Sequence, residues 1–121
     1  MLFLQNYCTR HCCEVPFDAG KFFIGSRAVW RLAENHPDNR DRLAAESAPL
    51  LVTAALENFP PTAASNRDVV NHAIYALAML AEDHPANRAA IAAAGGIEAV
   101  TGAMARRPDD IGVQGNGCYA L

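Results

Sequence analysis

The chain repeats itself, and that constrains its fold more than any other feature. The string LAENHPDNR at 32–40 returns as LAEDHPANR at 80–88, 48 residues later. At that shift, residues 28–60 and 76–108 agree at 14 of 33 positions, several times what composition alone would give. Self-similarity at such a period marks a stacked helical solenoid, in which each unit buries its apolar side only against its neighbours. Function is constrained too, because solenoids mostly bind other molecules along an extended face.

The second unit is the easier one to read. In 66–83, Val70, Ile74, Leu77 and Ala81 recur at helical spacing beside Val69, Ala73, Ala76 and Leu80, so a wide apolar face on one long helix is expected. His84-Pro85 stops that helix, because proline disfavours helical geometry in the residue before it, and Pro85 suits the first position of a new short helix over 85–94. Gly95-Gly96 permits a sharp turn into a third helix over 97–106, with Val100, Ala103 and Met104 on one side. Pro108-Asp109-Asp110 then makes an exit turn whose acids suit a helix start.

The first unit keeps the order and changes the punctuation. Helices are expected near 22–35, over 37–46 and over 49–58, with Ser47-Ala48-Pro49 standing where the double glycine stands later. Residues 59–65 read as an interhelical loop about four residues longer than its counterpart, since Tyr75-Ala76-Leu77 recurs as Tyr119-Ala120-Leu121 at a shift of only 44. The expected organisation is a preceding partial repeat or irregular segment over 1–20, then a repeat segment over 21–121. Its units run about 21–65 and 66–109, with a partial one over 110–121. Both ends read as cut through a repeat, so either a longer array or self-association through the exposed solenoid ends is expected.

Once that organisation is drawn, the run NRAAIAAAGGIEAVTGAMARRPDDIGVQGNGCYAL resembles an armadillo repeat: short helix, glycine break, second helix, long third helix. The wording is similar to multi-repeat armadillo proteins of unicellular eukaryotes, and the resemblance covers about residues 26–121. It implies an all-α, right-handed α-solenoid of three-helix repeats, about two complete with partial ones at both ends. Long third helices would line a concave groove that holds a protein or an extended peptide. Nuclear-import adaptors of the family carry Trp, and four residues later Asn, on that helix. Here the corresponding positions are Tyr75 and Met79 in the second unit and Arg27 and Arg31 in the first, with Tyr119 in the third. Trp30 falls one residue before Arg31, about 100° round the helix from the clamp position. That departure argues against import-signal binding. The expected partner groove is Arg27, Arg31, Asn71, Tyr75, Met79 and Tyr119, where Asn71, Tyr75 and Met79 lie at i, i+4 and i+8 beside the apolar stripe. Tyr, Met and Arg offer large, adaptable contact area at such faces. The alternative for Met79 is packing against a neighbouring unit.

Other chemistry is weaker. Cys8, His11, Cys12 and Cys13 crowd four soft ligands into six residues, which gives an alternative reading as a zinc- or redox-dependent protein. Adjacent Cys12 and Cys13 point to different sides of a helix and no second cysteine pair follows, so unliganded thiols are the simpler reading. His36 and His84 repeat in step with the scaffold, as a turn does and a catalytic pair does not. One repeat spacing also separates them too far for a metal with ligands at about 2 Å. The glycines at 95, 96, 112, 115 and 117 lack the Lys-Ser/Thr and the strand of a phosphate loop. No enzyme activity and no cofactor are expected. A third reading is a spacer within a longer array.

Bulk properties agree. Apolar residues are 51% and charged residues 19%, a foldable composition, and the net charge of −3 lacks the basic footprint of nucleic-acid or anionic-membrane binders. The opening Met-Leu-Phe-Leu has neither the basic start nor the length of a signal peptide, and no run approaches the about 20 residues of a membrane span. The uneven cysteines point to a reducing compartment, cytoplasm or nucleus.

Overall fold

A computed structural model describes residues 19–57 and 67–121, with side chains from 25 to 57 and from 69 onward. The cysteine–histidine cluster at 8–13, the expected partial repeat before it and most of the long loop lie outside the described residues. Those residues form seven helices and no strand, so the protein is all-α: α1 Ala19–Ala33, α2 Pro37–Ala45, α3 Ala48–Glu57, α4 Arg67–Ala81, α5 Pro85–Ala93, α6 Gly96–Arg106 and α7 Ile111–Ala120. The expected boundaries differ from these by one to three residues, the range over which helix ends fray. Among the described residues no helix is long and apolar enough to cross a membrane.

The three long-helix positions α1, α4 and α7 lie side by side, with α4 in the middle and packed on both. The shorter helices α2, α3, α5 and α6 form a second layer against them. Sandwiching explains why α4 is buried almost all round: Val69, Val70, Ala73, Ile74, Ala76, Leu77 and Leu80 all belong to the core. Its small alanines let the flanking helices come close, and Ile74, Leu77 and Leu80 fill the space between layers.

The turns repeat as faithfully as the sequence does. His36 and His84 both sit at the N-cap before a proline, with φ/ψ of −136°/85° and −135°/85°. Just before them, Asn35 and Asp83 take left-handed φ values of 54° and 48°, a conformation that Asn and Asp tolerate better than most residues. The next turn uses the same conformation at Ser47 (φ 61°) and Gly95 (φ 87°). Ser47 therefore does what the first glycine of the pair does in the second unit, and it does so with a side chain attached.

Candidate functional site

The accessible side of the long-helix layer is built from the middle outward. On α4, Asn71, His72 and Tyr75 are the half-buried positions of an otherwise buried helix, and they occupy one flank at helical spacing. Trp30 of α1 meets this flank edge-on: its ring lies 5.2 Å from that of Tyr75, tilted at 75°, and 6.2 Å from the imidazole of His72. From the other side Tyr119 of α7 stacks on Tyr75, with centroids 6.4 Å apart and planes 27° apart. Three helices thus contribute one continuous aromatic row, Trp30–Tyr75–Tyr119, in the offset geometries that aromatic quadrupoles favour.

Charged and amide groups finish the row. The Arg31 guanidinium lies 4.6 Å from the Trp30 ring centre, within reach of a cation–π contact. At the other end the Tyr119 hydroxyl donates to Glu82 Oε1 at 3.1 Å. That hydrogen bond to a carboxylate, with some desolvation and the negative charge of Glu82, pushes the Tyr119 phenol up from its ordinary value. One turn from the aromatic row, Asn116 Nδ2 donates to Asn71 Oδ1 at a long 3.5 Å. The pair has a further amide donor and acceptor to offer. Gly112 makes room for it, since a Cβ there would fall 2.7 Å from Asn71 Nδ2.

Arg40, behind the strip, fixes the angle between units. It is 5% exposed, donates through Nε to Ala33 O at 2.9 Å, and reaches across to Glu82, meeting its carbonyl at 2.8 Å and its carboxylate at 2.7 Å. One guanidinium therefore closes the end of α1, the end of α4 and the acid that holds Tyr119. The fork geometry of arginine makes this threefold donation feasible where lysine would manage only part of it. A second bridge between units joins Asp41 Oδ1 to His84 Nε2 at 2.5 Å. Because His84 Nδ1 accepts from the Asn87 N–H at 3.1 Å, the ring proton lies on Nε2 and points at the carboxylate.

Of the expected groove residues, the structure brings Tyr75, Tyr119 and Asn71 together and leaves Arg27 and Arg31 exposed on α1. Met79 is different. It is 3% exposed and belongs to the core, so it offers no surface to a partner and packs between units instead. The position opposite Tyr75 is also not its sequence equivalent, Arg27, but Trp30, one turn further along α1. Counting by 48 residues finds equivalent places in two units; it does not find the residues that touch, because neighbouring helices meet with an axial offset. The aromatic character of Trp30 was the available signal. His36 and His84 are turn residues, and among the described residues no group of three or more His, Cys, Asp or Glu is arranged to hold a metal.

Scans against protein-family models, curated proteins and solved structures return no match to this chain.

Proposed function

We propose that this chain is a non-enzymatic binding segment of armadillo type, a right-handed α-solenoid whose long helices α1, α4 and α7 present a face to an extended peptide or an extended stretch of a partner protein. The observation that carries this reading is the aromatic row across three separate helices, flanked by the Asn71–Asn116 amide pair. Large rigid rings supply contact area at low entropic cost, and side-chain amides beside them suit the alternating donors and acceptors of an extended backbone. Tyr119, 55% exposed, is the member of the row most open to such a ligand. The reading needs no cofactor, nucleic acid or membrane, and it places the chain in cytoplasm or nucleus, where an exposed thiol such as Cys118 stays reduced.

Selection from a displayed library of random peptides tests it, using the wild type and a Tyr119→Ala/Asn116→Ala variant matched for helicity and melting. The expected outcome is enrichment of peptides whose affinity falls at least about tenfold on the variant, the scale of losing one interface anchor. No enrichment over an unrelated helical protein, or equal binding by the variant, would overturn it.

A further inference from the structure

The two ends of the helical stack are open copies of a junction that is already closed inside the chain. Consider first the side facing α1 and α2. Ala28, Leu32 and Leu43 are equivalent, 48 residues earlier, to Ala76, Leu80 and Ile91. Each set has the same helices after it, yet Leu32 is 52% exposed and Leu80 is 0% exposed; Ala28 is exposed and Ala76 buried; Leu43 is half-buried and Ile91 buried. What differs is what comes before: α1, α2 and α3 pack on α4 and α5 and close the second set. Beside Leu32 and Leu43 the surface instead holds a cavity of about 370 Å³, also lined by Asn39 and Arg42.

The opposite end shows the converse. Thr101 and Met104 of α6 are equivalent to Thr53 and Leu56 of α3, and Cys118 of α7 is equivalent to Ser26 of α1. Thr53, Leu56 and Ser26 are all buried by the helices that follow them, whereas Thr101 and Cys118 are exposed and Met104 is half-buried. The inner junction therefore joins Ser26, Thr53 and Leu56 on one side to Ala76, Leu80 and Ile91 on the other. At the two ends of the molecule the same two half-surfaces stand free.

We infer that a second copy of this chain stacks head to tail, its Thr101/Met104/Cys118 face seated on the Ala28/Leu32/Leu43 face of the first. The occupant follows from continuity with the inner junction: two surfaces that repeat the sequence and backbone of a fitted pair already have the shape to fit each other. A like-with-like dimer has no such template. The outer junction is weaker than the inner one, because Arg31 stands where the inner junction buries Met79, and docking takes a guanidinium from water. Association is thus reversible and dependent on concentration. Because the contact is heterologous, it continues as open stacks rather than closing at two.

Sedimentation velocity of the full chain, from about 5 µM to about 500 µM, tests this over the range where a weak interface fills. Two exposed positions block one face each, Leu32→Glu at the head and Cys118→Glu at the tail, and circular dichroism confirms the fold of both variants. The expected result is an average mass that climbs steadily for wild type, monomers for each variant alone, and one-to-one dimers when the variants are mixed. That mixture separates a heterologous contact from any self-complementary one, since only the unblocked head of one variant and the unblocked tail of the other remain. A monomeric wild type over the whole range overturns the inference, as it would if residues 1–18 occupied the head face. So does dimerisation of either variant alone, or a mixture that stays monomeric.

Discussion

The two turns that join short helix to second helix, at 46–48 and 94–96, share a backbone path and reach it from different residues. Gly95 takes φ of 87° without penalty, and Gly96 lets α6 press against Ile91 so closely that a Cβ would fall on Ile91 Cγ2 and 2.8 Å from its carbonyl oxygen. Ser47 and Ala48 do the same work with side chains present, and Ser47 bears the cost of a left-handed conformation. The arginines after the histidine turns diverge in the opposite sense. Arg40 is buried and makes three bonds to two helices, whereas Arg88 is exposed and makes one, from Nε to Ala81 O at 2.8 Å. Equivalent residues therefore have equal local roles, and their tertiary weight depends on whether another unit lies within reach.

The largest expected asymmetry lies in those arginines. Arg40→Ala leaves Glu82 and two buried helix ends without their donor and is expected to cost about 3–4 kcal/mol, near the value for breaking a buried pair. Arg88→Ala, losing one exposed bond, is expected to cost under about 1 kcal/mol. Urea unfolding of both variants reads the difference directly. Equal losses would mean that the arginine acts through its own turn and not as a bridge between units.

Next come the small residues. Gly96→Ala forces the new methyl into Ile91 and is expected to destabilise by about 2–3 kcal/mol, the range of overpacked cores. Ala48→Gly, at the equivalent place, should cost no more than about 1 kcal/mol, the ordinary helix penalty. Ser47→Gly inverts the sign: relief of the left-handed strain outweighs the entropy given to the unfolded chain, for a gain of about 0.5–1 kcal/mol in thermal melts. A loss on Ser47→Gly would show that the serine side chain does something the backbone angle does not reveal.

The same comparison explains what could be read in advance. Helices, prolines and turns were legible because they are local: His-Pro, Gly-Gly and the apolar spacing of 69–81 each act within one turn of their own position. The inter-unit bonds were not. Nothing in the string distinguishes Arg40 from Arg88, since their difference lies in Glu82, 42 residues from the first of them. The aromatic row was half visible for a similar reason. Tyr75 and Tyr119 stand out by repetition, while Trp30 breaks the repeat and joins the row through helix offset. Met79 sits at the spacing of a surface stripe, yet α4 has a neighbour on both sides, and spacing on one helix cannot say how many neighbours cover it.

The smallest effect is at the far end of that row. The phenol of Tyr119 is pushed up first by its hydrogen bond to Glu82, so its neutral form is the one that the folded state favours. The sign follows from linkage. With a folded value above the unfolded one near 10, the contribution is fully present below about pH 10 and is lost as pH rises through the higher folded value. Spectrophotometric titration of the phenolate, taken as the difference between wild type and Tyr119→Phe, should place this tyrosine above the ordinary value. Glu82→Gln should return it toward that value, because a neutral amide neither binds the hydroxyl as strongly nor repels the phenolate. The variant also deprives Arg40 of its carboxylate, so a urea curve must accompany it. If the phenol stays high while stability falls, burial and not Glu82 holds Tyr119, and the hydroxyl is free to meet a ligand. If the phenol returns to its ordinary value, a ligand that uses this hydroxyl must first displace it from Glu82, and binding at the end of the row then loosens the Arg40 bridge between the two units.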